Sequence, residues 1–248
     1  MTLSRLLLAV VMLGAVTTAL AQADYAREQR WAEEITPAIL VGEPLYLTLA
    51  SGRRFLAIHA SQPASAPGVV VVHGIGVHPD WGLINTLRSE LTERGYATLS
   101  VQMPVLAADA KAEAYAPLYP EAAERLQAAA GFLRKAGHAK IAIVSHSLGS
   151  RMSDFFLGSQ PPPRIEAWVA IGLSGAYTAL HPGGPAVFDL YGERDLPAVL
   201  QHAGARARAL KGARGSAQGR VAGADHFFAG REHELVQHVR LFLDRALR

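Results

Sequence analysis

The chain has 248 residues, 50% of them hydrophobic, which suffices for one sizeable core and favours a single domain. Its formal net charge of +3 is too small to indicate a protein that binds nucleic acid. There are no cysteines, so disulfides, thiolate metal sites and a lipid-modified N-terminal cysteine are excluded.

Residues 1–23 are typical of a secretory signal peptide. Arg5 precedes an apolar run, and small residues follow it at two acceptable cleavage sites. The alternative is an uncleaved anchor, but the run is shorter than the ~20 residues that a membrane span needs. We therefore predict cleavage after Ala21 or Ala23, no stable membrane span after cleavage, and a periplasmic or secreted protein.

A polar lead-in is predicted at 24–43, and its residues 24–34 are predicted to be a short helix or a poorly ordered segment. The domain itself is predicted to span 44–248. It opens with an antiparallel hairpin, because β-prone runs at 44–50 and 53–59 flank Ser51-Gly52. A continuously apolar run at 68–73 then predicts a central strand that is buried on both faces.

Strands and helices alternate through the rest of the chain. Further strands are predicted at 96–101, 140–145, 165–171, 186–191 and 216–222, with helices at 83–91, 121–135, 148–159, 196–211 and 235–243. This order predicts an α/β fold with a mostly parallel central sheet of about eight strands and helices on both faces. Only about fourteen residues, 172–185, separate two of the strands, which leaves no room for a large cap domain.

One serine stands between an apolar strand pattern and a helical pattern. The strand run ends at Val144, and a stripe of helical spacing begins at Met152. Such a turn strains the residue at its apex and needs small residues two positions before and after it. Ser145 and Gly149 meet that requirement around Ser147, which predicts a nucleophile elbow with a helix N-terminus behind it. The alternative is that Ser147 is an ordinary helix N-cap.

An acyl-transfer serine also needs a base and a carboxylate that orients the base. Asp195 and His226 both follow predicted strands, where loops of a parallel sheet gather. The chain order Ser, Asp, His is that of hydrolases with an elbow of this kind. If Asp195 instead caps the next helix, Asp189 or Glu193 is the alternative acid.

The turn His73-Gly-Ile-Gly76 follows the central strand and is predicted to face the serine. We expect the backbone N–H groups of Ile75 and Leu148 to form the oxyanion hole, and His73 to have a structural role. The residues predicted to line the pocket are His146, Gly74, Gly76, Leu173 and Tyr177.

These features in one order resemble the α/β-hydrolase-fold superfamily of serine hydrolases over residues 40–248. The usual elbow of that superfamily is Gly-x-Ser-x-Gly, and Ser145 occupies the position of the first glycine. The chain is especially similar to an exported-looking branch with the run His73-Gly-Ile-Gly-Val-His-Pro-Asp-Trp81, from which no function is carried over. The resemblance implies a nucleophile, a base that becomes an acid, and an orienting carboxylate at Ser147, His226 and Asp195.

Two other groups of polar residues have simpler interpretations. His78 and Asp80 lack a third ligand at suitable spacing, so no metal site is predicted, and no cofactor is expected. A loose basic cluster is interpreted as a solvated helix face; its members are Arg206, Arg208, Lys211, Arg214 and Arg220.

The sequence thus favours an exported serine hydrolase that cleaves a carboxylic ester through an acyl-enzyme intermediate. Its partner is an ester-type substrate, either a small molecule or a component of the cell envelope. The alternative is a non-catalytic binding or assembly protein of the envelope that keeps the fold. The sequence makes no prediction of the oligomeric state.

Overall fold

The structure is a computed structural model that describes residues 22–178 and 180–247. Most of the predicted signal peptide, residues 1–21, lies outside the described residues. The strands are β1 (Glu43–Thr48), β2 (Arg54–Ala60), β3 (Gly68–Val72), β4 (Ala97–Val101), β5 (Ile141–His146), β6 (Ala167–Ile171), β7 (Ala186–Arg194) and β8 (Ala217–Asp225). The α-helices are α1 (Tyr25–Ile35), α2 (Gly82–Glu93), α3 (Tyr119–Lys135), α4 (Leu148–Leu157), α5 (Pro197–Leu210) and α6 (Glu232–Leu247), and two short 3-10 helices cover Thr36–Ala38 and Ala112–Leu118.

The described residues form one sheet of eight strands in the order β1-β2-β4-β3-β5-β6-β7-β8. β1 pairs antiparallel with β2, and β2 pairs antiparallel with β4. The pairs from β4 through β8 are all parallel. Every residue of β3 and β5 is buried, as expected for central strands that are covered on both faces. The predicted fold class, with its opening hairpin and about eight strands, is confirmed.

Helices cover both faces of the sheet. Successive strand side chains point to opposite faces, so Val70 of β3 joins the core under α3 and α4, whereas Val71 joins the core under α2 and α6. The same division separates Ile143 from Val144 in β5. No helix in the described part of the chain is both long and apolar enough to span a membrane.

Helix α1 forms in the stretch predicted as a polar lead-in. Asp24 caps it, because its Oδ1 accepts a hydrogen bond of 2.9 Å from the N–H of Arg27. Glu28 is buried and forms an ion pair of 2.8 Å with Arg125 of α3, whose guanidinium also donates to the carbonyl of Gln102. The helix is therefore attached to the domain by a buried charge pair.

The described part of the loop between β6 and β7 contains no cap domain. Its described residues, 172–178 and 180–185, form neither helix nor strand. Asp154 of α4 accepts hydrogen bonds from the backbone N–H and the hydroxyl of Thr178. Arg206 of α5 donates to the carbonyl of Gly175 at 3.0 Å. The loop is thus fastened to two helices, and its described residues contain no cap domain.

Candidate active site

Ser147 forms the turn between β5 and α4. Its φ is +56° and its ψ is −123°, a region that costs a non-glycine residue backbone strain. The backbone N–H of Ser147 donates to the carbonyl of Ile171 at 2.8 Å, which fixes the turn against β6. Although Ser147 stands at the N-cap position, its side chain makes no capping hydrogen bond. The alternative that Ser147 is an ordinary helix N-cap therefore does not explain where its hydroxyl points.

Gly149 allows the elbow to pack against the loop after β3. A Cβ at Gly149 would lie 2.3 Å from the carbonyl oxygen of His73, far inside contact distance. No other residue fits there without moving the backbone. This close approach brings the loop that contains Gly74 against Ser147, since a Cβ on Gly74 would lie 3.0 Å from that of Ser147.

Ser145, which replaces the usual glycine, is fully engaged in the core. Its hydroxyl accepts a hydrogen bond of 2.8 Å from the indole N–H of Trp168 on β6 and donates to the carbonyl of Val169 at 3.3 Å. Its own carbonyl accepts a hydrogen bond from the hydroxyl of Ser150 at 2.9 Å. The serine therefore supplies a partner for a buried tryptophan beside the elbow.

A chain of hydrogen bonds connects Ser147 to His226 and Asp195. The Oγ of Ser147 lies 2.8 Å from Nε2 of His226, and Nδ1 of His226 lies 2.5 Å from Oδ1 of Asp195. Because the carboxylate accepts from Nδ1–H, Nε2 is free to accept the hydroxyl proton. The structure thus brings together the three predicted catalytic side chains, which lie far apart in the chain.

The surroundings of Asp195 favour its ionised form. Burial alone would raise its pKa, but hydrogen bonds from His226 and from the backbone N–H groups of Leu196 and Gly192 outweigh burial and lower the pKa below its usual value. The N–H distances are 2.8 Å from Leu196 and 3.1 Å from Gly192. A carboxylate held in this way can stabilise an imidazolium.

The alternative acids are engaged elsewhere. Asp189 lies on β7 with no exposed surface, and both its oxygens accept from Nε of Arg206 at 3.0 Å. Glu193 accepts from the N–H of Gly223 at 2.9 Å and forms an ion pair with Arg220. Among the described residues, neither carboxylate forms a hydrogen bond or ion pair with His226.

Gly172 makes room for the imidazole of His226. A Cβ at this position would lie 2.9 Å from Cε1 of His226, and the φ of Gly172 is +59°. A side chain would therefore both strain the backbone and displace the ring. The start of the β6–β7 loop thus forms one wall around His226.

His73 holds the loop that the sequence predicted to contain an oxyanion donor. Its Nδ1–H donates to the carbonyl of Gly74 at 2.8 Å, and its Nε2 accepts from the N–H of Met103 at 2.9 Å. Complete burial lowers the pKa of His73 to about 3, so the ring is neutral. Its structural role follows from these contacts. Ile75 is half-buried in the loop, and Leu148 begins α4, where the first N–H groups lack intrahelical acceptors.

His146 is buried and hydrogen-bonds to the backbone of His226. Its Nε2–H donates to the backbone carbonyl of His226 at 2.8 Å, and the two ring centroids lie 4.8 Å apart. Burial, together with the nearby His226, lowers the pKa of His146 to about 4. The imidazole is thus a neutral donor that ties β5 to the loop after β8.

The other residues that were predicted to line the pocket differ in burial and packing. Gly76 is half-buried in the loop after β3. Tyr177 is half-buried, and its ring packs edge-on against Trp168 at 5.5 Å. Leu173 was predicted to line the pocket. It is instead 0% exposed and lies in the core under α3 and α4. The sequence could not show which face of the sheet this loop residue would join.

Sequence reasoning missed two aromatic residues: Phe227, whose ring contacts His226, and Trp81, whose ring contacts Phe227. The ring of Phe227 lies 5.2 Å from that of His226 and 5.6 Å from that of Trp81. Phe227 remains 49% exposed. In the sequence, Phe227 could have been found because it directly follows His226. Trp81 could have been found because it ends the run that begins at His73.

Asp80 is engaged by neighbouring side chains and is not placed to act as a metal ligand. It forms an ion pair with the buried Arg88 and accepts from Nδ2 of Asn85 at 2.7 Å. His78 accepts from the backbone N–H of Asp80 through Nδ1. No group of three or more potential metal ligands occurs in the described residues.

The interpretation of the basic cluster as a solvated face is wrong for one member. Arg206 is 0% exposed, because its guanidinium pairs with Asp189 inside the domain. The other members are exposed; they are Arg208, Lys211, Arg214 and Arg220. The helical pattern could not reveal that Asp189 on β7 faces α5.

No family profile and no curated protein matches the chain in sequence. Solved structures do match it. A dienelactone hydrolase from Anabaena variabilis is 17% identical, with a TM-score of 0.66 over 83% of this chain and 97% of that one. An esterase from Pyrococcus furiosus is 13% identical, with a TM-score of 0.66 over 83% and 93%. A putative α/β hydrolase from Agrobacterium tumefaciens is 20% identical, with a TM-score of 0.64 over 82% and 96%. The chain therefore has the α/β-hydrolase fold.

Proposed function

We propose that the protein is a serine hydrolase that cleaves carboxylic esters, with Ser147 as nucleophile, His226 as general base and acid, and Asp195 as the orienting carboxylate. The observation that carries the proposal is the pair of contacts on His226, at 2.8 Å to Ser147 and 2.5 Å to Asp195. The names of the esterase and the dienelactone hydrolase that share the fold are consistent with it.

Acylation begins when Oγ of Ser147 attacks the carbonyl carbon of the ester. The hydroxyl proton moves to Nε2 of His226, and the imidazolium that forms is stabilised by the carboxylate of Asp195. The tetrahedral intermediate then collapses, the carbon–oxygen bond to the alcohol breaks, and His226 returns the proton to the leaving oxygen. Ser147 is left as an acyl ester.

Deacylation repeats these steps with water. His226 removes a proton from the attacking water, the second tetrahedral intermediate forms, and Ser147 leaves with the proton that His226 returns. The carboxylic acid is released and the free enzyme is restored. His146 remains a spectator in proton transfer, because its Nε2–H is engaged by the carbonyl of His226.

The negative oxygen of each intermediate needs N–H donors that are already in place. We assign these donors to the backbone of Leu148 and Ile75. Leu148 is the first residue of α4, where N–H groups and the helix dipole both favour negative charge. The loop that contains Ile75 is held in place by the hydrogen bonds of His73.

The substrate is an ester-type compound that enters without a cap domain over the site. The β6–β7 loop is short and fastened to α4 and α5, so a small ester or an ester carried by an envelope component is accommodated equally. We further propose that the protein is exported after signal cleavage, on the basis of the sequence pattern of residues 1–23.

A panel of esters of graded acyl length tests the proposal. The purified mature protein should hydrolyse at least one member, with a burst of alcohol release where deacylation is slow. Ser147→Ala should abolish both the burst and the turnover while the unfolding transition is unchanged. Equal turnover by Ser147→Ala would refute the assignment, and a folded wild-type protein without activity would favour a non-catalytic envelope protein.

A further inference from the structure

Four aromatic rings form a chain of contacts that includes His226, the residue that hydrogen-bonds to the nucleophile. The ring of His226 is 4.8 Å from that of His146 and 5.2 Å from that of Phe227. The ring of Phe227 is in turn 5.6 Å from that of Trp81. Since His226 reaches Oγ of Ser147 directly, Phe227 stands one ring away from the reacting atoms.

A strained backbone turn directly follows the exposed Phe227. The next residue, Phe228, has a φ of +55° and no exposed surface, whereas Phe227 is 49% exposed. A bulky residue rarely adopts this conformation, and such strain concentrates at functional sites. Among the described residues, the other non-glycine residue with positive φ is Ser147. At this turn one phenylalanine lies in the core, and the other lies at the surface beside His226.

The position of Phe227 indicates which part of an ester it would meet. His226 must come within hydrogen-bonding reach of the leaving oxygen to return the proton. The carbonyl oxygen, by contrast, faces the N–H groups assigned to Leu148 and Ile75. A ring packed against the imidazole is thus adjacent to the alcohol part of the substrate, while the acyl part lies on Ser147.

We propose that Phe227 and Trp81 form a leaving-group subsite that accepts the ring of an aryl or arylmethyl alcohol. This inference rests on the ester hydrolysis proposed above. Aromatic rings at centroid separations of roughly 4.5–7 Å attract each other beyond the area that they bury. A substrate ring that covers Phe227 also removes its exposed face from water, which adds a favourable hydrophobic contribution.

The decisive comparison is between benzyl acetate and ethyl acetate. Both give the same acetyl-enzyme, so deacylation is common and any difference arises from the alcohol. Wild-type protein should show the higher kcat/KM for benzyl acetate. Phe227→Ala should reduce the benzyl-to-ethyl ratio of kcat/KM by about tenfold, and Phe227→Tyr should retain it. Trp81→Leu should also lower the ratio, and it provides a second variant if Phe227→Ala does not fold.

Phe155→Ala is the matched control, because Phe155 is 44% exposed and packs against Tyr119 on the surface of α4. It should leave the benzyl-to-ethyl ratio unchanged. The ratio of ethyl benzoate to ethyl acetate, which varies the acyl group, should also be the same in Phe227→Ala as in wild type.

Three results would overturn the subsite. The first is wild-type protein that hydrolyses ethyl acetate with no preference for benzyl acetate. The second is a Phe227→Ala variant that keeps the wild-type benzyl-to-ethyl ratio. The third is a Phe227→Ala variant that changes acyl selectivity instead. Each of these leaves ester hydrolysis itself intact. If folded wild-type protein cleaves neither ester and does not react with a fluorophosphonate, the proposed function fails and the subsite fails with it.

Discussion

The indole N–H of Trp168 donates a hydrogen bond of 2.8 Å to the hydroxyl of Ser145, two residues before the proposed nucleophile. Trp168 is 0% exposed, so its N–H has no access to water. The contact joins β5 to β6 next to the elbow. A residue that departs from the usual elbow pattern is thus the acceptor that a neighbouring buried side chain requires.

Ser145→Gly should therefore destabilise the protein. It removes the acceptor of the Trp168 N–H, and leaving a buried donor unsatisfied costs roughly 1–3 kcal/mol of unfolding free energy. Urea denaturation measures the change. Ser145→Ala should show a similar loss, whereas Ser51→Ala, at an exposed turn, is the control. A Ser145→Gly variant as stable as wild type would contradict this account.

The order of strands and helices was predictable because it depends on local patterns. Continuous apolar runs gave β3 and β5, and the small residues around Ser147 gave the elbow. Asp195 and His226 were predictable because both follow strands of one parallel sheet, whose carboxyl ends lie together. The fold class was confirmed on this basis.

Contacts between distant elements were not predictable. Arg206 was predicted to belong to a solvated helix face, because the sequence around it does not show that Asp189 lies opposite it. Leu173 looked like pocket lining because its loop leaves the correct end of the sheet, although its side chain turns into the core. The positive φ at Phe228, next to the exposed Phe227, is a conformation for which phenylalanine has no preference, so no local pattern predicts this turn.

Acidification should destabilise the fold through His146. Its pKa is about 4 in the folded protein against an ordinary value of 6.5, because burial disfavours the charged ring. Between these values the unfolded chain binds more protons, so the unfolding free energy falls as the pH decreases from about 6.5. His146 alone should account for a loss of roughly 3 kcal/mol by pH 4.

His146→Gln tests this pH dependence. The amide retains a donor for the carbonyl of His226 and does not titrate. Denaturation at pH 7 and at pH 4 should show a smaller loss of stability in the variant than in wild type. The same pH dependence in both proteins would contradict a buried, neutral His146.

Removal of the charge of Glu28 should loosen α1. Glu28→Ala leaves the buried guanidinium of Arg125 with fewer partners, and breaking a buried pair from one side should cost roughly 3 kcal/mol. Chemical denaturation gives the magnitude, and hydrogen exchange shows whether α1 opens. Glu34→Ala, on an exposed position of the same helix, should change stability little. If the two variants were equally stable, α1 would not be held by this pair.

We expect signal cleavage after Ala21, so that the mature chain begins at Gln22. Ala23 is 6% exposed and packs in the core, and the N–H of Asp24 donates to the carbonyl of Val105 at 2.7 Å. Cleavage after Ala23 would remove that buried methyl group and place a charged amine on Asp24. The intact mass of the mature protein distinguishes the two sites. A mature chain that begins at Asp24 would contradict this prediction.

Reaction with a fluorophosphonate probe tests the central claim most directly, because the probe needs an activated serine and no particular substrate. Peptide mapping of the labelled wild-type protein should place the adduct on Ser147. His226→Ala should slow labelling by roughly a thousandfold or more, since the serine loses its base. Ser147→Ala should not react. A folded wild-type protein that stays unlabelled, or a Ser147→Ala variant that labels as fast as wild type, would contradict the proposed site.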